Sequence, residues 1–233
     1  MVISILTLFP EVFPKVLNSS IIGRAQQKGF IFLKYINIRD FATDKHRSVD
    51  DKPYGGGVGM IMRVDIVEKA IAAARTNALQ SSHNIKRGEG EVFEKVILLD
   101  PKGKLFNQSI ARRYSKLDHL ILVCGHYEGI DERIKYFVDE KISIGKYILT
   151  GGEIPAMAIA DAVIRLIPGV LRNSEATINE SFSFPYSNTS CSNLEYPQYT
   201  RPKIYKRYKV PTILLTGNHQ KIENWRKRGQ LLK

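Results

Sequence analysis

Short apolar runs alternate with helical segments along most of the chain, and this alternation constrains the fold more than any other feature. The runs "VISILTLF", "KVILLD" and "HLILVC" have the length and composition of buried strands. The segments between them carry apolar residues at helical spacing, as in residues 11–28 and in "VDIVEKAIAAARTNAL". The pattern predicts an α/β domain whose mostly parallel sheet is covered by helices on both faces.

Three apolar runs lead into turns rich in glycine or proline, "DPKG", "CGHYEG" and "LTGGE". Ligands of open α/β sheets bind at the carboxyl ends of the strands, so these turns predict one shared site. The last turn opens a predicted helix whose apolar sequence is interrupted by Asp161 and Arg165. Two interpretations of Arg165 stay open, an ion pair with Asp161 and a role in the site. Both arise because an arginine on such an apolar helix needs an anionic partner or access to solvent.

The positive charge of the chain lies mostly at its C-terminal end. Residues 201–233 hold ten Lys or Arg and one acid, Glu223, which gives 10 − 1 = +9 of the total of +12. Such a charge points to a polyanionic partner, with nucleic acid as the leading candidate. The Ser, Asn and Thr content of residues 173–193 is typical of a linker. We therefore predict a large domain over 1–172, a linker over 173–193 and a small basic nucleic-acid-binding domain over 194–233.

Two further clusters are candidates for a site. "VDDKPYGGGVGMIM" has four glycines but neither the P-loop Lys-Ser/Thr nor the dinucleotide spacing, so it is either a flexible loop or a backbone-lined ligand wall. Glu128 follows a buried strand and could bind a ribose or a cation. Asp131 and Glu132 are expected to open a helix at its positive end.

The remaining composition is that of an ordinary cytoplasmic protein. Cys124 and Cys191 have no spacing for zinc or for a disulfide framework, and Cys124 is expected to be a buried thiol. The N-terminal run lacks a basic region and is too short for a signal peptide or a membrane span. We predict cytoplasmic localisation and no membrane partner.

Long, ordered motifs along nearly the whole chain are similar to those of one protein family. These are "LTLFPEVF", "RDFATDKHRSVDDKPYGGGVGM", "LILVCGHYEGIDER", "SIGKYILTGGEIPAM", "RLIPGVL", "YTRP" and "VPTILLTGNH". Together they resemble the bacterial tRNA (guanine-N1)-methyltransferases of the SPOUT superfamily. The resemblance implies a parallel sheet with a deep trefoil knot and a small, mainly helical C-terminal domain. The absence of glycine from "LTLFPEVF" disfavours the ordinary Rossmann-type methyltransferase site.

The resemblance also implies S-adenosylmethionine as the methyl donor. The positions that match the family's cofactor site are Pro101, Gly125, Tyr127, Glu128, Ile144, Gly145, Tyr147, Ile148, Leu149, Gly151 and Gly152. We expect the cofactor to lie against the glycine pair, where a Cβ would collide with it. A divalent ion such as magnesium is an additional candidate for activity, with no metal ligands assigned.

Two residues match the family's catalytic positions. Methylation of guanine N1 requires a general base for the N1 proton and a cation for the charge on O6. Arg165 matches the arginine, and Glu180 stands where the family has an aspartate base; Asp161 is the second candidate for the base. His126 is another departure, because many relatives carry arginine there.

The implied substrate is tRNA, methylated at the guanine immediately 3′ of the anticodon. The candidate tRNA-binding residues are Asp51, Tyr54, Arg201, Lys203, Lys206, Arg207, Arg226 and Arg228. The family forms homodimers with active sites at the subunit interface. The chain ends with "WRKRGQLLK", so we expect a shortened C-terminal domain.

Two alternatives stay open at this stage. The chain could be another SPOUT enzyme that acts on ribosomal RNA or on a different tRNA position. It could also be an RNA-binding protein without catalysis, as the replaced base and the short tail suggest.

Overall fold

In the computed structural model of the protein, residues 1–81, 92–177, 180–183 and 194–229 are described. They form parts of two compact units, Met1–Arg172 and Asn173–Lys233. Most of the predicted loop "SSHNIKRGEGE" and much of the predicted linker 173–193 lie outside the described residues.

The N-terminal unit combines strands with helices in the predicted alternation. Its described strands are β1 (Val2–Thr7), β2 (Phe32–Asn37), β3 (Asp50–Asp51), β4 (Ile61–Met62), β5 (Glu94–Leu105), β6 (His119–Cys124) and β7 (Glu140–Ser143). Its described helices are α1 (Pro14–Leu17), α2 (Ser20–Gln27), α3 (Val64–Ser81), α4 (Gln108–Tyr114) and α5 (Glu153–Ile164).

Five of these strands form one sheet in the order β2-β1-β6-β5-β7, and every neighbouring pair is parallel. The central strands β1 and β6 are buried along their whole length. Alternate side chains enter two cores, one where Ile5 packs with Ile159 of α5 and one where Leu6 packs with Ile66 of α3. The predicted parallel α/β sheet with helices on both faces is confirmed.

The helix predicted over residues 11–28 is wrong in one respect, because the chain forms two short helices there. Helix α1 ends at Leu17, and α2 starts at Ser20, whose φ of 51° is incompatible with a continuous right-handed helix. A Cβ on Gly23 would overlap the backbone of Asn18. Gly23 therefore allows the chain to turn tightly between α1 and α2, and apolar spacing does not predict this turn.

The turn predicted at "DPKG" lies within β5, which pairs again after it and continues to Leu105. The strand contains a bulge, and both Leu99 and Lys104 are paired with Ile142 of β7. A bulge tolerates Pro101, which has no N–H to donate. A Cβ on Gly103 would lie 2.5 Å from the Ile142 nitrogen, so the two backbones pass in close contact.

A buried polar cluster joins the amino ends of the central strands. His119 is 1% exposed, with Nε2 2.9 Å from Ser4 Oγ and Nδ1 2.6 Å from Glu94 Oε2. Arg75 Nε donates to Glu94 Oε1 at 2.9 Å. Burial raises the pKa of the Glu94 carboxyl, but the contacts with His119 and Arg75 outweigh burial and hold that pKa below its ordinary value.

The C-terminal unit contains a hairpin of β8 (Ile204–Tyr205) and β9 (Tyr208–Lys209), followed by helix α6 (His219–Gly229). Trp225 of α6 packs against Tyr196 and Tyr199, with ring centroids 6.4 and 6.2 Å away. In the part of the chain that the structure describes, no helix is long and apolar enough to cross a membrane.

Candidate active site

A cavity of about 280 Å³ lies at the carboxyl ends of β6 and β7, next to the bulge of β5. Its walls are residues 98–102 of β5, residues 125–130 after β6, and residues 142–145 and 147–152 after β7. The volume is close to the lower end of the ~300–1,000 Å³ typical of small-molecule sites. The prediction that these three segments share one edge of the sheet is confirmed.

All of the predicted cofactor residues line this cavity. They are Pro101, Gly125, Tyr127, Glu128, Ile144, Gly145, Tyr147, Ile148, Leu149, Gly151 and Gly152. The fold thus brings together residues that are up to 51 positions apart, from 101 to 152. Their role towards a cofactor stays a prediction.

The glycine pair has a physical reason within the protein itself, and the expected contact with a cofactor stays a prediction. A Cβ on Gly152 would lie 2.6 Å from Cys124 Cα and 2.9 Å from Gly125 N, and a Cβ on Gly151 would overlap the His126 ring. The Gly152 nitrogen also donates to Gly125 O at 2.9 Å. The collision that the structure shows is therefore with the protein's own chain, whereas the expected collision was with a ligand.

Behind the cavity, a carboxylate joins β1, the loop after β6 and helix α5. Glu153, only 9% exposed, accepts from Thr7 Oγ1 at 2.6 Å and lies 2.7 Å from His126 Nε2. The Phe9 nitrogen donates to Thr7 Oγ1 at 2.9 Å, and the Phe9 ring meets the His126 ring edge-on. Sequence reasoning missed Thr7 and Glu153. A signal was present, because Glu153 is an acid at the start of an otherwise apolar helix.

The glycine cluster supports the cavity from outside. Strands β3 and β4 pair antiparallel and flank it, and the Glu128 nitrogen donates to Met60 O at 3.0 Å. A Cβ on Gly59, whose φ is +87°, would lie 2.5 Å from Glu128 Cγ. None of the glycines in this described loop lines the cavity. The loop packs on a wall residue of this cavity, and its role towards a ligand stays a prediction.

Several cavity residues are unusual for a water-facing surface. Tyr127 has a φ of +59°, a left-handed conformation that is rare for a bulky side chain and is often found at functional sites. Ile148 is 81% exposed, and Ile154 of α5, which does not line the cavity, is 59% exposed. The segment "ISIGKYIL" reads as one apolar strand by its composition, but β7 ends at Ser143. The apolar residues that follow leave the sheet and surround the cavity.

The two predicted catalytic residues lie in different units. Arg165 is the C-cap of α5, and its nitrogen donates to the backbone oxygen of Asp161 at 3.2 Å. Asp161, the second candidate for the base, is exposed on α5. Glu180 is half-buried in the C-terminal unit, where its backbone oxygen accepts from Ser183 at 3.1 Å.

The predicted tRNA-binding residues are exposed wherever their side chains are described. These exposed residues are Asp51, Tyr54, Arg201, Lys203, Lys206, Arg207 and Arg226. The side chain of Arg228 lies outside the described part of the structure. Among the described residues, no group of three or more His, Cys, Asp or Glu side chains is placed to hold a metal ion, so no magnesium site is assigned.

The family described as tRNA (Guanine-1)-methyltransferase TrmD matches the chain over residues 1–233. The chain belongs to this methyltransferase family. A tRNA (guanine-N(1)-)-methyltransferase of Carboxydothermus hydrogenoformans is 52% identical over 233 residues, which cover 100% of this chain and 83% of the relative. Proteins of the same name from Dictyoglomus turgidum and Staphylococcus epidermidis are 49% and 47% identical, over 99% and 100% of this chain and 85% and 87% of the relatives.

These matches confirm the family that the sequence motifs resemble and the predicted enzyme class, a methyltransferase. In this member of the family, the contacts of Glu153 with Thr7 and His126 hold together the segments behind the cavity.

Proposed function

We propose that the protein transfers a methyl group from S-adenosylmethionine to N1 of the guanine immediately 3′ of the anticodon in tRNA. The observation that carries this proposal is the meeting of all predicted cofactor residues around one cavity in a member of this methyltransferase family. The predicted basic C-terminal segment supports a polyanionic substrate.

The residues around the cavity fit the chemistry of S-adenosylmethionine. Glycine walls expose backbone N–H and C=O groups to a polar ligand, while Tyr147 and Leu149 offer apolar surface to a flat base. The Glu128 carboxylate suits a ribose hydroxyl or a sulfonium charge. When bound there, S-adenosylmethionine supplies an electrophilic methyl group.

Two side chains would prepare the guanine. Glu180 takes the N1 proton as general base, and its basicity is close to that of the family's aspartate. The Arg165 guanidinium lies against O6 and stabilises the negative charge that develops there. Each role is carried over from the family position and awaits the tests below.

We propose that the active site is shared between two subunits of a homodimer. The exposed apolar side chains of Ile148 and Ile154 beside the cavity favour a protein partner on this face. A partner subunit would contribute its Glu180 and its basic segment, while Arg165 and the cofactor cavity come from the first subunit. A dimer of this kind explains why the catalytic positions fall in two units of the chain.

We further propose the deep trefoil knot of the SPOUT superfamily. Two backbone contacts support it, Gly103 against Ile142 and Gly152 against Cys124. In a threaded chain, segments after β5, β6 and β7 must pass one another at backbone distance, and glycine allows this approach. The proposed organisation is a knotted catalytic domain over 1–172, a linker over 173–193 and a tRNA-binding domain over 194–233, acting in the cytoplasm.

Methyl transfer to two transcripts tests the proposal. One tRNA transcript carries guanine immediately 3′ of the anticodon, and the second differs only by adenine at that position. We expect label from S-adenosyl[methyl-³H]methionine in the first transcript alone. Label in both transcripts would indicate another target position, and RNA binding with no label in either would indicate a protein without catalysis.

A further inference from the structure

The hairpin of residues 204–209 presents two tyrosines side by side. Tyr205 and Tyr208 are direct partners in the antiparallel register, and residues so paired have their side chains on the same face. Each residue is 63% exposed. We call residues 204–209 the tyrosine hairpin. Two large exposed rings on one face of a small hairpin form a platform that water solvates poorly.

A second cavity, of about 270 Å³, adjoins this platform. Its aromatic and cationic lining residues are Tyr199, Arg201, Lys203, Tyr205, Tyr208 and Lys209. No acidic side chain is among its lining residues, all of which the structure describes. The cavity therefore combines aromatic faces with positive charge, which is the combination that single-stranded nucleic acids bind.

The tip of the hairpin adds two cations beside the rings. Lys206 Nζ lies 5.6 Å from the centre of the Tyr205 ring, and Arg207 Cζ lies 5.3 Å from that of Tyr208. Lys206 has a φ of +53°, a left-handed conformation that lysine rarely adopts. This turn thus holds one positive charge over a face of each of the two tyrosine rings.

We propose that the tyrosine hairpin and its cavity bind an unpaired nucleotide of the RNA substrate, with the base stacked on tyrosine and the flanking phosphates on the cations. Phosphate binding alone would need the cations but not the rings. A paired base hides both of its faces in the stack, so a platform of this kind selects single-stranded RNA over duplex. The inference rests on the proposed function only in taking RNA as the substrate.

Binding of a short single-stranded RNA and of the same strand annealed to its complement tests this site. Trp225 is the only tryptophan in the chain and lies 6.2 Å from the ring of Tyr199, which lines the cavity, so its fluorescence reports binding there. In Tyr205→Leu/Tyr208→Leu we expect affinity for the single strand to fall by about 5- to 100-fold. Affinity for the duplex and the salt dependence of binding should change little, because no charge is removed.

Tyr205→Phe/Tyr208→Phe should keep most of the affinity, since phenylalanine also stacks on a base. Tyr136→Leu is the matched control, because Tyr136 is 75% exposed with Lys135 Nζ 5.2 Å from its ring centre, and it lines neither of the two cavities. Equal losses for single strand and duplex, or unchanged affinity in a leucine variant whose Trp225 spectrum is native, would overturn the proposal. The binding experiment contains no methyl donor. Its result therefore does not depend on methyl transfer, and a failure of the proposed function can be distinguished from a failure of the tyrosine hairpin to bind RNA.

Discussion

Glu153 Oε2 lies 2.7 Å from His126 Nε2, and the other oxygen of the same carboxylate accepts a hydrogen bond from Thr7. One side chain at the start of α5 thus fixes both the end of β1 and the loop after β6. Because His126 and the residues before Glu153 line the cavity, the contact sets the distance between two of its walls. Glu153 itself does not line the cavity, so we regard it as a positioning residue.

Replacing Glu153 by alanine should destabilise the protein. The change leaves the buried Thr7 hydroxyl and the His126 ring without their carboxylate partner, which costs ~1–3 kcal/mol for a buried polar group. The free energy of unfolding in urea measures the loss, and Glu11→Ala, at an exposed glutamate, is the control. Equal stability of the two variants would show that the buried contact is unimportant.

Adding a methyl group at Gly152 should disrupt the cavity. In Gly152→Ala the new Cβ would lie 2.6 Å from the Cys124 backbone, so the two loops must separate, at a cost of ~1–3 kcal/mol in stability. Gly125→Ala is the matched control, because the nearest atoms to its Cβ are at an ordinary 3.7 Å. We expect thermal unfolding at a clearly lower temperature for Gly152→Ala only. A smaller loss at Gly152 than at Gly125 would contradict the packing described here.

The buried cluster at His119 predicts a particular acid sensitivity. The pKa of Glu94 is lower in the folded state than in the unfolded chain. The ionised Glu94 therefore contributes its full stabilisation of the fold above the unfolded pKa of about 4.3, and this contribution is lost as the pH falls through the lower folded pKa. Glu94→Gln removes this titration. We expect its urea midpoint to fall less steeply than that of the wild type between about pH 5 and about pH 3. Glu68→Gln is the control. If the urea midpoints of Glu94→Gln and of the wild type fall in parallel with pH, Glu94 is not a cause of the acid sensitivity.

A site shared between subunits predicts that two inactive variants rescue each other. Arg165→Ala and Glu180→Ala would each lack one part of every site in a homodimer. In a mixed dimer, one of the two sites contains both native residues, so refolding the variants together should restore up to about half of the wild-type activity per mixed dimer. Activity that stays absent after subunit exchange has been verified with tagged chains would exclude the shared site.

The parallel sheet follows from the sequence because buried strands alternate with helices, and the motif turns fall at one edge of the sheet as parallel topology requires. The turns that line the cavity could be predicted from the pattern, but Tyr147 and Ile148 could be predicted only through the resemblance to the family, because they read as a strand by hydrophobicity. They leave the sheet after Ser143 and stay near the surface, as residues of a ligand or partner surface do.

Contacts between segments distant in sequence were beyond prediction. Local sequence predicts the turn at Pro101 and Gly103, but the second pairing of β5 with Ile142 after this turn depends on the distant strand β7. Glu153 reads as a favourable charge at a helix start, while its partners Thr7 and His126 are 146 and 27 positions away. Such contacts depend on the tertiary arrangement of the chain, which apolar periodicity does not encode.

We propose that the cavity bounded by Pro101, Gly125 and Gly152 holds the methyl donor. A crystal structure of the protein with S-adenosylmethionine measures this most directly. We predict density for the donor between these three residues, with the Glu128 carboxylate within hydrogen-bonding distance of it. Donor density at any other place, with this cavity containing only water, would contradict the account.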